Sequence, residues 1–201
     1  MFFKSMLFYR LPAGFYMTAQ ALEDELGKRP LNPPSDASME AVGWSAAGPN
    51  GQLVYGLERN LLVTLGHAKR VLPSSVVKRE VEERAAKLAE RQGFPVGRKQ
   101  LKDLKDEVIN ELRPRAFIKY SFIRAWIDLA GGFLVVDTTS AKKAETLIAL
   151  MIGTLESGFG VTPVNVKLRP GDEMTRWLLN SAVPEGFEVT YESELIIPDG
   201  D

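Results

Sequence analysis

Two helical stretches separated by a short break constrain what this chain can fold into. Between residues 76 and 112, apolar side chains recur every three to four positions. They fall on two stripes, Val77, Val81, Ala85 and Leu88, then Leu101, Leu104, Val108 and Leu112. The break, GFPVG at 93–97, is short enough that the two helices are predicted to fold back on each other. Each stripe is narrow, so the pair is predicted to form a protruding two-helix arm instead of a core element.

The segments around this arm have the pattern of β-strands. Strands are predicted at 5–11, 52–58, 61–72, 116–128, 132–138, 161–168 and 187–197, and residues 39–44 are an apolar segment with no assigned element. Helices are predicted at 19–27, 141–157 and 172–179. The strands pair mostly through hairpins, so the fold class is α+β, with a central antiparallel β-rich domain, packed helices and a two-helix tip. Residues 1–72 and 114–184 are assigned to the central domain, and residues 73–113 to the tip.

Positive charge is concentrated in one part of the sequence. The stretch 67–124 holds 15 Lys/Arg against 8 Asp/Glu, whereas the whole chain of 201 residues has a net charge of −1. Such asymmetry indicates an anionic partner such as nucleic acid. Pairs such as Glu80–Arg84 and Glu83–Lys87 are spaced to cancel locally, however, so solvated helix faces are the alternative interpretation.

Seven cations are the best candidates for phosphate contact. Some cluster at the start of the second arm helix, and two fall in the first turn of the helix after Ser140, where the helix dipole favours an anion. The candidates are Arg98, Lys99, Lys102, Arg115, Lys119, Lys142 and Lys143. No recognition-helix, zinc-finger or RNP-type motif accompanies them, so duplex DNA would be bound without base reading and with steep salt dependence.

Motifs for enzymatic chemistry are missing from the sequence. It has no cysteine, one histidine, and no P-loop, dinucleotide-binding, HExxH or GxSxG pattern. His67 is interpreted as structural or exposed, with contact to an anion as the alternative. Asp128 and Asp137 flank the Gly131-Gly132 turn and leave open a metal-dependent nuclease, although turn and solubility roles are commoner for such residues. No enzyme, metal or cofactor is predicted.

Several motifs resemble one protein family. The combination of LPSSVV, LKDEV, LRPRAF, AWID, LVVD and SAKKAE, together with the opening FFKSMLFYRL, closely resembles RdgC, the bacterial recombination-associated family. The resemblance extends over nearly the whole chain in the family's order. It implies a non-catalytic protein that forms a ring-shaped dimer, binds double-stranded DNA with little sequence preference and restrains the RecA recombinase.

The resemblance also implies contacts between subunits. Family members dimerise through the tip and through a C-terminal base, and the aromatic residue of the PRAF motif, here Phe117, lies at the tip contact. Family members continue well past Asp201, so residues 185–201 are expected to be a stub of the base, and an open clamp joined at the tips is the working hypothesis. An assembly module with weak DNA affinity of its own is the alternative function.

The N-terminus and the hydropathy pattern bear on location. The apolar start is interrupted by Lys4 and Arg10, so no signal peptide is predicted. No apolar run approaches the ~20 residues that a membrane span needs. A cytoplasmic, nucleoid-associated protein is expected.

Overall fold

Most of the helices and strands lie where the sequence pattern predicts them. A computed structural model of the protein describes residues 3–155, 159–165, 168–180 and 182–188. Its strands are β1 Leu7–Arg10, β2 Glu40–Ser45, β3 Val54–Leu57, β4 Asn60–Val71, β5 Phe117–Asp128, β6 Phe133–Val136 and β7 Thr162–Pro163. Its helices are α1 Ala19–Leu26, α2 Ser74–Gln92, α3 Arg98–Leu112, α4 Ala141–Leu155 and α5 Pro170–Asn180, with a 3-10 turn at Arg113–Arg115.

The strands form one antiparallel sheet built around the long β4–β5 pair. Within the described residues it has seven strands in the order β2-β4-β5-β6-β1-β7, and β3 pairs with the end of β4 that β2 leaves free. The 12-residue strands β4 and β5 run side by side over their full length, from Asn60 opposite Asp128 to Val71 opposite Phe117. The α+β class is therefore confirmed.

The hydrophobic core lies between one face of this sheet and the helices α1 and α4. Leu22 and Leu26 of α1 and Leu147 and Met151 of α4 are almost fully buried. They belong to one cluster with alternating residues of the central strands, Leu61, Val63, Leu65, Ala125, Ile127, Leu134 and Val136. Thr18 begins α1 by accepting a hydrogen bond from the Ala21 N–H at 3.1 Å. Every second residue of the central strands thus packs against the apolar stripes of α1 and α4 in one layer.

Two glycines let a loop cross the other face of the sheet. Gly43 of β2 stands opposite Gly66 of β4, and both lie under Leu31. A Cβ built on Gly43 would come within 2.6 Å of Leu31 backbone atoms, so this position requires the absence of a side chain.

We expect Gly43→Ala to lower the free energy of unfolding by about 1–3 kcal/mol, because the Leu31 backbone would have to move away from the sheet. Gly160→Ala is the matched control, since a Cβ there meets no atom within 4 Å. Urea denaturation of both variants measures the difference. Equal stability of the two variants would contradict the close approach of residue 31.

The predicted strands near the C-terminus are confirmed only in part. The strand predicted at 161–168 is reduced to Thr162–Pro163 among the residues described there, and positions 166 and 167 lie outside them. Of the strand predicted at 187–197, only residues 187 and 188 are described, and they are not in a strand. No helix within the described ranges is long and apolar enough to cross a membrane.

The chain divides into two compact units, Met1–Pro163 and Val164–Asp201. The first contains the sheet and the helices α1 to α4. In the second, α5 carries an ion pair between Arg176 and Glu173 at 2.9 Å, and the rings of Trp177 and Phe187 lie 5.1 Å apart. The predicted division at residues 72, 113 and 184 stays a prediction.

Candidate nucleic-acid interface

The helices α2 and α3 form the predicted helical hairpin, here called the arm (Ser74–Leu112). The 19 residues of α2 give it a length of about 28 Å. It starts three residues after the end of β4, and α3 leads through the 3-10 turn into β5. The connection at 93–97 therefore lies at the end of the arm away from the sheet.

An arginine forms ion pairs and hydrogen bonds between the two helices of the arm. Arg84 of α2 donates to Glu80 on its own helix at 2.9 Å and to Glu111 of α3 at 2.7 Å. These hydrogen bonds raise the pKa of Arg84, and the bond to Arg84 lowers the pKa of Glu111. The predicted Glu80–Arg84 pair is confirmed, whereas Glu83 pairs with Arg79 at 3.8 Å.

A buried arginine fixes the arm to the sheet. The side chain of Arg70, near the end of β4, is only 5% exposed. Its Nη1 donates to the carbonyls of Arg113 and Pro114 at 2.8 and 2.9 Å, and its Nη2 donates to the carbonyl of Pro34 at 2.9 Å. One guanidinium therefore joins the sheet, the end of the arm and the 34–36 loop.

The structure places the seven predicted phosphate contacts in three locations. Three of them, Arg98, Lys99 and Lys102, lie together in the first two turns of α3, at the end of the arm away from the sheet. Arg115 and Lys119 lie where the arm joins β5, and Lys142 and Lys143 lie in the first turn of α4. All seven side chains are exposed.

The charges of α2 and α3 are arranged differently. Within the described residues, no carboxylate oxygen lies within 4.0 Å of any of the seven predicted cations, although Arg115 is close enough to help lower the pKa of Glu111. The cations of α2 are largely matched instead, as in Lys78–Glu82 and Arg79–Glu83, both at 3.8 Å. Uncompensated positive charge therefore lies at the start of α3, where the sequence pattern suggested it.

The pairing of β4 with β5 adds a cation that the sequence interpretation did not single out. Lys69 and Lys119 are direct cross-strand partners, and both are exposed. Like charges in this position destabilise a sheet unless a counter-charge is near. Glu40 stands on the other side of Lys69, but its carboxylate lies 3.1 Å from His67 Nε2. Finding Lys69 from sequence would have required the β4–β5 register.

An apolar groove runs along the arm beside the predicted cations. It is a cavity of about 1120 Å³ whose apolar lining comes from Met39, Leu72, Val77, Val81, Leu101 and Ile109. Lys102 and Lys105 line it on the α3 side. Part of the two apolar stripes is buried, as at Val77 and Val108, whereas Leu101 stays 37% exposed. The stripes therefore also provide an apolar surface that the chain itself does not cover. Phe117, predicted as a dimer contact, is 88% exposed at the first position of β5.

The residues considered for catalysis have structural contacts. Asp128 Oδ1 accepts hydrogen bonds from the Ala130 and Gly131 N–H groups, and Asp137 Oδ2 accepts one from Arg124 at 2.6 Å. The Asp137 N–H bonds to the Arg124 carbonyl, four residues before Asp128 and hence about 13 Å away along the strand. Ligands of one metal ion lie about 2.0–2.6 Å from it, so this pair does not form a shared metal site. His67 contacts Glu40, in agreement with its structural interpretation.

Comparison with known proteins places the chain in a family. The family model described as "Putative exonuclease, RdgC" matches residues 1–201. The chain belongs to the RdgC family. It is 40% identical over 195 residues to the recombination-associated protein RdgC of Herminiimonas arsenicoxydans, and 40% and 37% identical to those of Burkholderia cenocepacia and Janthinobacterium sp. strain Marseille. These matches to RdgC proteins confirm the resemblance inferred from the motifs.

The matches cover nearly all of this chain but only part of its relatives. They include 97% of the chain and 65%, 63% and 65% of the three relatives, respectively. The chain therefore spans slightly less than two thirds of the length of these RdgC proteins.

Proposed function

We propose that this RdgC-family chain binds double-stranded DNA through phosphate contacts made by the arm and its junction with the sheet. The observation that carries the proposal is the cluster of exposed cations at the start of α3, which have no carboxylate within ion-pair distance in the described structure. Phosphate contacts of this kind are made by Lys and Arg without reading base edges. Binding is then tolerant of sequence and strongly dependent on salt.

The proposed role is binding and not catalysis. Asp128 and Asp137, the carboxylates considered for a nuclease, are used by a turn and by Arg124. A chain that occupies the phosphate backbone of a duplex limits the access of other proteins to it. We therefore propose that it modulates homologous recombination at the nucleoid by restricting access of the RecA recombinase, consistent with the name of its relatives.

A titration of duplex DNA at several salt concentrations tests this function. For the triple variant Arg98→Gln/Lys99→Gln/Lys102→Gln, we expect weaker binding on every duplex sequence and a salt slope smaller by about 2.7, which corresponds to three lost phosphate contacts. Fluorescence anisotropy with two unrelated duplexes of equal length provides the measurement.

The matched control replaces three exposed cations that already have carboxylate partners, in the variant Lys28→Gln/Lys78→Gln/Arg79→Gln. Both triple variants remove the same formal charge, so a general effect of net charge would weaken them equally. A slope for the first variant equal to that of the wild type would show that α3 does not contact phosphate.

We also propose that two copies of the chain associate through the arm, with Phe117 of each copy packed in the apolar groove of the other. Phe117 is almost fully exposed at the junction of the arm with the β4–β5 pair. The groove begins at this junction, with Met39 and Leu72, and continues along the arm to Leu101. A two-fold interface of this kind uses the same contact twice.

The groove also favours a second candidate function. A surface of this size lined by apolar side chains fits a partner protein, so the chain could act as an assembly module of recombination with weak DNA affinity of its own. Parallel capture experiments at moderate salt, with immobilised duplex DNA and with an immobilised longer RdgC protein, separate the two functions. Retention on the protein alone would favour the assembly role.

A further inference from the structure

A second positively charged site lies at the end of the sheet away from the arm. A cavity of about 410 Å³ is formed there by the segment after β1, the β3–β4 turn and the β5–β6 turn. Arg10 and Arg59 both line it. Since β4 extends 12 residues between the two ends, this cavity and the base of the arm are about 35 Å apart.

The two arginines are available to an anion. Both side chains are exposed, and neither has a carboxylate within 4.0 Å in the part of the chain that the structure describes. The Arg10 guanidinium lies 5.2 Å from the centre of the Phe133 ring, a contact that leaves its N–H groups free of an acid. The nearby Asp128 is engaged through Oδ1 by the Ala130 and Gly131 N–H groups.

The position of Arg59 is fixed by the contact between two turns. The Leu129 N–H donates to the Arg59 carbonyl at 3.0 Å, which ties the β3–β4 turn to the β5–β6 turn. Glycine residues 14, 131 and 132 also line the cavity. Their backbone leaves room for a ligand to approach closely. Two arginines beside glycine-rich loops are a suitable site for a phosphate group, which arginine binds through paired hydrogen bonds.

A second, more apolar cavity adjoins the first. It has a volume of about 320 Å³ and shares Tyr16, Arg59 and Leu129 with the first cavity. Met17, Leu61 and Leu129 form its apolar wall, and Glu58 lies on its rim. The Tyr16 side chain is 67% exposed, so its ring is accessible at the boundary of the two cavities. An aromatic ring in this position can stack on a nucleobase, and a carboxylate can accept a hydrogen bond from a base amino group.

We propose that the two cavities together bind one nucleotide, with its phosphate between Arg10 and Arg59 and its base against Tyr16. The first cavity alone is within the size range of small-molecule sites. The same chemistry is offered by a free mononucleotide and by the 5′-phosphorylated terminal nucleotide of a DNA strand. This site shares no residue with the arm, so its test is independent of the proposed duplex binding.

Calorimetric titration at constant ionic strength tests the site. The probes are deoxyadenosine monophosphate, deoxyadenosine, and a four-nucleotide oligodeoxyadenylate with either a 5′-phosphate or a 5′-hydroxyl. We expect each phosphorylated probe to bind at least tenfold more tightly than its unphosphorylated counterpart. If the 5′-phosphorylated oligonucleotide binds more tightly than deoxyadenosine monophosphate, the ligand is the terminus of a DNA strand. If these two probes bind with equal affinity, the mononucleotide alone satisfies the site and the ligand is the free nucleotide.

Variants assign the binding to these residues. Arg10→Gln/Arg59→Gln should weaken binding of the phosphorylated probes at least tenfold, and Tyr16→Ala should weaken it severalfold. The Arg98→Gln/Lys99→Gln/Lys102→Gln variant should bind them as the wild type does. Arg59→Gln alone changes only a turn residue and replaces the double variant if that variant unfolds. Equal affinity for phosphorylated and unphosphorylated probes, or wild-type affinity in the folded arginine variant, would overturn the proposal.

Discussion

Arg70→Ala should lower the free energy of unfolding by about 3–5 kcal/mol, because it removes a buried cation that donates to carbonyls of the 34–36 loop and of the junction with the arm. The carbonyls of Pro34, Arg113 and Pro114 would each lose a donor within 2.9 Å. An acceptor left buried without a partner costs about 1–3 kcal/mol. This cost applies most directly to the Pro34 carbonyl, because the Arg113 carbonyl keeps a hydrogen bond from the Ala116 N–H at 3.1 Å. Urea denaturation at neutral pH measures the change.

The carbonyl contacts of Arg70, and not its ion pair, should account for this effect. Asp36 Oδ1 lies 3.4 Å from Arg70 Nη2, but the Asp36 side chain is 84% exposed. We therefore expect Asp36→Asn to cost at most about 1 kcal/mol. Arg79→Ala, on the exposed side of α2, should change stability by less than about 0.5 kcal/mol. An Arg70 variant as stable as Arg79→Ala would show that this guanidinium does not hold the arm.

Loss of Arg70 should also loosen the junction between arm and sheet. The arm is held there by Arg70 and by Arg113, whose Nη1 donates to the Ala37 carbonyl at 2.9 Å. Amide hydrogen exchange of residues 110–118 should accelerate in the variant, whereas amides in the middle of β4 and β5 report the global stability.

The positive charge of the basic stretch could be predicted from sequence. Which of its cations are engaged within the fold, and which remain free on the surface, could not. In the part of the chain that the structure describes, four of its 15 cations donate side-chain hydrogen bonds within the fold, in addition to the ion pairs of Lys78 and Arg79. They are Arg70 to carbonyls, Arg84 to glutamates, Arg113 to Ala37 and Asn110, and Arg124 to Asp137. Arginine is favoured in such places because its planar group makes several fixed hydrogen bonds. A count of charges treats these four like the exposed lysines, so it overestimates the surface available to DNA.

The elements with strong local signals were predicted best. The arm was found because two apolar stripes are separated by a glycine- and proline-containing break, and α1 because Thr18 caps it. The β4–β5 pairing spans the whole arm in sequence, and no turn motif joins the two strands. Lys69, the junction around Arg70 and the groove all depend on that pairing. They could not be predicted for that reason.

The two proposed nucleotide-binding cavities also depend on long-range strand pairing that the sequence pattern does not predict. Arg10, Tyr16, Arg59 and the β5–β6 turn come from three separate parts of the chain. The sequence pattern places Arg10 in the predicted strand at 5–11 and gives no indication that it lines a cavity with Arg59. Their proximity follows from the sheet order, in which β1 pairs with β6 and the β3–β4 turn contacts the β5–β6 turn. Long-range register, and not residue type, brings the site together.

Replacing Phe117 should have the largest effect on association. An aromatic anchor in a partner's pocket commonly contributes at least 2 kcal/mol, and a two-fold interface would contain two such contacts. We therefore expect Phe117→Ser to raise the dimer dissociation constant about 1000-fold. Sedimentation velocity over a range of concentrations measures it. The fold should be preserved, because this side chain is 88% exposed and makes little contact within its own chain.

Two further variants separate this contact from general surface hydrophobicity. Phe94→Ser removes another exposed phenylalanine, 59% accessible in the loop between α2 and α3, and should leave the dissociation constant unchanged. Leu101→Glu places a carboxylate in the groove and should weaken association as strongly as Phe117→Ser, because the charge would be buried by the partner's ring. If Phe94→Ser dissociates the protein and Phe117→Ser does not, the subunits meet at the far end of the arm. If the wild type stays monomeric at high concentration, the groove does not bind a second copy of the chain, and a different protein is its partner.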